Sequence, residues 1–248
     1  MNPTKYLDLI GKHFGTEQLT ELYHTNEFTL AVAVILSAQT TDKMVNRVTP
    51  ALFEVADTPE KMLALGEAGL KEHIKVLSFF NNKAANIIKT AGILSSPLPC
   101  GGGRGEATGG GFEKATSDKP APGRKAATPS AREGVWRFPP EYHNRDMLMT
   151  LPGIGQKTAN VVSSILWGAP NIGVDTHVFR LAHRLGWATD ADNTPEKVER
   201  RLLSVIPKKL HSVANHLMVM HGRYICTARK PNCENCPVGK LCDWKKGT

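Results

Sequence analysis

Four of the five cysteines stand in one run, Cys226-x6-Cys233-x2-Cys236-x5-Cys242, within the last 23 residues. Thiolates this close repel one another unless a metal binds them. Structural zinc usually draws on two short Cys-x2-Cys knuckles, and only one pair here has that spacing. A single compact loop supplying all four ligands suits a cubane [4Fe-4S] cluster better. Zinc, or merely buried thiols, are the alternatives. The same segment, 207–248, carries eight Lys and Arg against two acids. Clustered Lys and Arg favour a polyanion, because neutralising phosphates releases counterions.

A second group capable of chemistry is Lys157, which follows Leu151-Pro152-Gly153-Ile154-Gly155-Gln156. Pro152 ends one helical stretch, and two glycines permit a tight turn into the next. Leu151 and Ile154 tuck inward to hold that turn. The amides at the start of the second helix then form an anion site, which grips a DNA phosphate without reading bases. A plain corner between helices is the alternative. Lys157 sits in that first helical turn, where a cation is disfavoured by roughly 0.3–1 kcal/mol. That is too little to make a neutral, nucleophilic amine without burial or further cations. A lysine that adds a phosphate contact is the simpler reading of the residue taken alone.

Asp175, in Gly173-Val174-Asp175-Thr176-His177-Val178, is placed as an N-cap bonding the first free amides of a helix. A fixed carboxylate near a nucleophilic amine is also what a reaction developing positive charge on a sugar requires. The two roles are compatible.

These groups need a scaffold. The chain has 248 residues, 41% apolar and 22% charged, with a net charge of +8 and a sequence pI near 9.3. That is an ordinary globular composition for one large or two modest domains. No secretory signal is visible at the N-terminus, and no uncharged stretch reaches the ~20 apolar residues that span a bilayer. The expectation is a cytoplasmic protein without a membrane partner.

Helical spacing or start signals mark Phe28–Ala38, apolar all round behind an Asn26 cap, and a helix opened by Thr58-Pro59-Glu60. Similar signals mark Asn82–Leu94, Arg145–Thr150, Gln156–Trp167, Thr176–Leu185 and Pro195–Val205. No run alternates as a strand does. The predicted fold class is all-α. Segment 95–135 holds nine Gly and five Pro and reads as a flexible insertion, with Cys100 incidental to it.

Leu151–Val162 (LPGIGQKTANVV), Gly173–Arg180 (GVDTHVFR), Ser37–Asp42 (SAQTTD) and the cysteine spacing together resemble the endonuclease III family. These are helix–hairpin–helix/Gly-Pro-Asp DNA glycosylases with AP-lyase activity. The resemblance covers nearly the whole chain except 95–135. It implies two helical domains flanking a DNA-binding cleft. Residues 21–169 would form a six-helix barrel with the hairpin, and 1–20 plus 170–248 the cluster domain.

The resemblance implies Lys157 as nucleophile, Asp175 as catalytic carboxylate, and Cys226, Cys233, Cys236 and Cys242 as ligands of a [4Fe-4S] cluster. It implies DNA contacts at Gln39, which fills the vacated space, at Phe79, Leu151, Gly153, Ile154, Gly155 and His177, and in the basic tail at Arg229 and Lys230. Phe79 departs from the family, which often has an intercalating leucine there. The implied partner is duplex DNA with damaged bases or abasic sites, bound by a monomer. The implied reaction removes oxidised pyrimidines through a lysine Schiff base, then nicks the strand by β-elimination. A monofunctional mismatch glycosylase of the same fold, or a non-catalytic iron–sulfur DNA-binding redox sensor, are the competing readings.

Overall fold

The computed structural model describes residues 1–16, 19–96, 135–242 and 244. The insertion expected at 95–135 lies outside them, Cys100 included, save for Ser95, Ser96 and Val135. Among the described residues the regular structure is ten α-helices and three short 3-10 turns, with no strand. In chain order the helices are α1 (Pro3–Phe14), α2 (Glu27–Ser37), α3 (Asp42–Val55), α4 (Pro59–Ile74), α5 (Phe80–Ser95), α6 (Arg145–Leu148), α7 (Gln156–Trp167), α8 (Thr176–Arg184), α9 (Pro195–Val205) and α10 (His211–Tyr224).

Two apolar cores organise them. The first is built on α2, whose residues Phe28 to Leu36 are all buried, with α3, α4, α5, α6 and α7 around it. Asn26 and Thr29 close a reciprocal capping box at the start of α2, which satisfies two otherwise orphaned amides. The second core gathers α8, α9 and α10 with α1 from the opposite end of the chain. Tyr6 Oη meets His221 Nδ1 at 2.9 Å, and Trp187 Nε1 donates to the Met1 carbonyl at 2.8 Å. The N-terminal helix is thereby tied to the C-terminal third.

Helices α7 and α9 fall on the predicted bounds. Helix α5 begins two residues earlier than expected, and α6 stops at Leu148 rather than Thr150. Helix α4 breaks at Gly66, whose φ of +73° suits glycine. Helices α3 and α10 carry weak sequence signals for physical reasons. Pro50 interrupts the pattern of α3, and α10 buries His211, Asn215, His216 and His221 where a sequence reading looks for apolar residues.

A buried carboxylate joins the two cores beside the hairpin. Glu199 on α9 accepts from Asn160 Nδ2 at 2.9 Å and from Gln156 Nε2 at 3.0 Å. Both donors are on α7, one residue before and three after Lys157. In the variant Glu199→Ala the buried Asn160 amide loses its partner, while exposed Gln156 turns to water. The expected loss is about 1–3 kcal/mol, read in a thermal melt as about 2–4 °C per kcal/mol.

Candidate active site and nucleic-acid interface

The turn before α7 is held from inside. Leu151 and Ile154 are buried, and Thr90 Oγ1 donates to the Pro152 carbonyl at 2.9 Å. Expected as DNA-contacting residues, Leu151 and Ile154 can meet DNA only through their backbone. The two glycines differ in what they do. Gly153 has φ +83°, and a Cβ there would come within 3.0 Å of Asn86 Cβ, so glycine is required. Gly155 is extended and caps α7 with no side-chain hydrogen bond, and α7 has no acid in its first turn. Its leading amides have no intrahelical acceptor and face outward with the positive end of the dipole.

Helix α8 starts in the opposite way. Asp175 Oδ1 accepts from the amides of His177 and Val178 at 2.8 and 2.9 Å. Its other oxygen, Oδ2, is turned toward Lys157 Nζ at 3.7 Å. One carboxylate thus caps a helix with one oxygen and faces an amine with the other. Asp175 is 15% exposed and Lys157 56%, so the carboxylate is fixed and sheltered while the amine is open to an incoming reactant.

Both line a cleft of about 1350 Å³. Ser37, Gln39, Asp42 and Arg47 reach it from the first core, and His177, Arg223 and Tyr224 from the second. Behind Lys157 a second cavity of about 310 Å³ runs under Gln39 to Asn215 and His216. Burial pushes the His216 imidazole down, with Glu21 opposing, which favours a neutral hydrogen-bonding wall. Arg223 spans the cores: its Nη1 donates to Glu21 Oε2 and Asp42 Oδ2, both at 2.6 Å. Glu21, Arg223 and Tyr224 escape sequence reading, because 202 residues separate Arg223 from Glu21. Asp42 was within reach, as the last residue of the SAQTTD motif.

The other expected contacts divide. Phe79 is exposed at the start of α5, and His177 lines the cleft. Arg229 and Lys230 are exposed on the loop after Cys226, outside the lining of the cleft.

Cys226, Cys233, Cys236 and Cys242 surround one cavity with Leu181, Leu185, Ile225 and Val238. A Cβ on Gly239 would come within 2.7 Å of the Cys233 carbonyl, so the loop closes on itself as tightly as glycine allows. Among the described residues no three Cys, His, Asp or Glu side chains converge on a single-ion site. Four thiols around one cavity are a donor set that fits a polynuclear iron–sulfur group. Burial first, then Cys226, Cys242 and Cys233, push the Cys236 thiol up, a penalty that iron removes by binding thiolate. Arg184 Nη1 donates to Cys226 Sγ at 3.2 Å. Burial, with His13 nearby, lowers His221 to about 4. Neutral at pH 7, His221 sets Nε2 3.3 Å from Cys236 Sγ while Nδ1 meets Tyr6.

An uncapped hairpin, a lysine facing an aspartate and a four-cysteine loop are thus carried on one helical chain. The family model of HhH-GPD superfamily base excision DNA repair proteins matches residues 32–208, and that of the iron-sulfur binding domain of endonuclease III matches 226–242. Endonuclease III of Rickettsia conorii is 44% identical, over 91% of this chain and 88% of the relative. That of Escherichia coli K12 is 36% identical over 99% and 98%. A trapped endonuclease III–DNA covalent intermediate superposes with a TM-score of 0.72 at 35% identity, covering 98% of this chain and 95% of that one. The chain belongs to the endonuclease III family of the HhH-GPD superfamily. It is a DNA-binding base-excision repair glycosylase/lyase with an iron–sulfur cofactor. Among its described residues, no helix is long and apolar enough to cross a membrane.

Gly153→Ala tests the hairpin. Strain at positive φ together with the Asn86 contact is expected to lower stability by about 1–3 kcal/mol. Binding to undamaged and damaged duplex should weaken by the same factor in a fluorescence-anisotropy titration, because a phosphate contact carries no lesion information.

Proposed function

We propose that this enzyme removes oxidised pyrimidines from duplex DNA and nicks the strand at the resulting abasic site, with Lys157 as nucleophile. The observation that carries this reading is Lys157 Nζ lying 3.7 Å from Asp175 Oδ2 at the wall of a cleft of about 1350 Å³. Such a cleft exceeds the roughly 300–1,000 Å³ of small-molecule pockets, as a polymer substrate requires. We also propose that 21–169 and 1–20 with 170–248 act as two domains flanking the DNA. The two separate apolar cores support that division. One chain builds the whole cleft, so a monomer suffices.

In this mechanism the leading amides of α7 and the exposed Arg229 and Lys230 hold the backbone. The damaged nucleotide is rotated out of the stack, at a few kcal/mol that a lesion reduces. Phe79 wedges the duplex, and Gln39 fills the vacated space. The base enters the cavity of about 310 Å³ beside His216.

Lys157 passes a proton to Asp175 Oδ2, 3.7 Å away, and the amine so freed attacks the deoxyribose C1′; the N–C1′ bond forms as the glycosidic bond breaks, and the departing base takes that proton from Asp175. Asp175 Oδ2 stabilises positive charge on the sugar and assists the proton transfers. Ring opening leaves a Schiff base on Lys157. That cation acidifies C2′, whose proton is lost as the C3′–O bond breaks. Cys226, Cys233, Cys236 and Cys242 hold the iron–sulfur cluster, which braces the loop bearing Arg229 and Lys230.

Borohydride trapping separates the parts. Lys157→Ala is expected to give no covalent adduct with lesion DNA and no nick, while binding persists. An adduct that survives the substitution removes the lysine from its role. Asp175→Asn keeps the cap but not the charge, so base release should slow by about 10²–10⁴-fold with little change in melting temperature. Arg229→Ala and Lys230→Ala should each reduce the salt slope of binding by about 1. An unchanged slope would mean they do not touch phosphate.

A further inference from the structure

Lys83, on α5, is 5% exposed, and no carboxylate is among its contacts. Its Nζ donates to the Leu36 carbonyl at 2.8 Å and to Thr40 Oγ1 at 2.8 Å. Leu36 belongs to the last turn of α2, whose carbonyls lack helical donors and welcome a cation. Thr40 belongs to the link between α2 and α3. Between these two anchors lies Gln39. On the other side, the Lys83 amide bonds the Phe79 carbonyl at 3.1 Å.

Gln39 (φ 53°) and Phe79 (φ 56°) are the two non-glycine residues with positive φ among the described residues. Neither has the short polar side chain that eases this conformation. Such residues persist only where their surroundings over-determine them. The exposed Gln39 lies between the two groups that the lysine's side chain bonds, and the exposed ring at Phe79 starts the helix whose first backbone bond is made by the amide of the same residue.

We propose that Lys83 is a positioning residue for base extrusion, fixing the α2–α3 link and the start of α5 in one register so that Gln39 and Phe79 enter the duplex together. The proposal rests on the reading of those two residues as gap filler and wedge. Apolar packing alone would hold α2 against α5 but would leave the polar link free to shift along it. The lysine removes that freedom by bonding across the joint. Burial also pushes its amine down from the usual lysine range. A group held against such a penalty marks a joint whose geometry is fixed by hydrogen bonds rather than by packing.

The experiment compares Lys83→Met and Thr40→Val with the wild-type holoenzyme in single turnover. Three quantities are followed: base release from a duplex with thymine glycol opposite adenine, nicking at a preformed abasic site, and fluorescence of 2-aminopurine next to the lesion as a report of unstacking. Base release should fall about tenfold to a hundredfold in Lys83→Met, as a displacement of about 1 Å far from the chemistry would give. The fluorescence rise should be lost with it. Nicking at the abasic site, where no pair has to be broken, should stay within about twofold. Thr40→Val removes one acceptor and keeps the lysine, so it should move base release and fluorescence the same way by a smaller factor.

Unchanged base release in both variants overturns the proposal. So does equal loss on both substrates, which would place the lysine in general folding or at Lys157. Gln39→Ala and Phe79→Ala are run alongside. If those two leave base release and fluorescence untouched, the wedge reading itself falls and takes the lysine's role with it. If they impair both while Lys83→Met does not, only the lysine's role falls.

Discussion

The structure holds one amine beside one carboxylate that belongs to a different core. Lys157 rides on α7, which buries Ala159 and Val162 in the first core; Asp175 opens α8, which buries Val178 and Leu181 in the second. At 3.7 Å and half exposed, the ion pair itself contributes little to stability, so its geometry must be imposed from outside. Glu199 does so on one flank, by bonding α7 on both sides of the lysine. Arg223 does so on the other, by joining carboxylates from two segments. These polar joints set a distance, where an apolar interface would tolerate sliding.

The two helix starts at the site are complementary. Helix α8 is capped by Asp175 Oδ1, which consumes its first amides and leaves Oδ2 for the cleft. Helix α7 is capped by a glycine with nothing to offer, so its amides remain for a ligand. Exchanging the caps would reverse both arrangements: a carboxylate at position 155 would cover the open amides, and a glycine at 175 would remove the charge facing Lys157. The same backbone physics thus leaves one helix start open and fills the other with a carboxylate.

How much was legible depended on whether a signal was local. The hairpin could be read because Pro152, Gly153 and Gly155 act within one turn, and the Asp175 cap because it needs only the next three residues. The cysteine spacing was local as well. The buried helix α2 declared itself by an unbroken apolar run behind Asn26. By contrast, α10 hid because histidines and an asparagine share its inner face with Ala214, Leu217 and Met218, and they become core-compatible only once partners such as Tyr6, 215 residues away, arrive. Glu21, Arg223 and Glu199 act across long separations and were invisible for the same reason. The expected inward turn of Leu151 and Ile154 could be read, but not that burial leaves them only backbone with which to touch DNA.

Segment 207–242 raises the question of how so polar and basic a stretch becomes ordered. Its apolar contribution is small: Leu217, Met218 and Val238 are its main buried anchors. Arg184 supplies what the core lacks. Its guanidinium bonds the carbonyls of Cys226, Thr227 and Ala228 along with Cys226 Sγ, and lies 4.2 Å from the Trp244 ring centroid. One planar donor therefore satisfies three successive carbonyls that no regular element would pair, a task that suits arginine's fixed fork and not lysine's point charge. The chain then leaves this template with Arg229 and Lys230 exposed. A cation fixed by a rigid loop loses less freedom on meeting phosphate than one on a loose tail. Four cysteines in this segment and one arginine on α8 thus turn net positive charge, which alone would give only diffuse attraction, into cations presented at fixed positions.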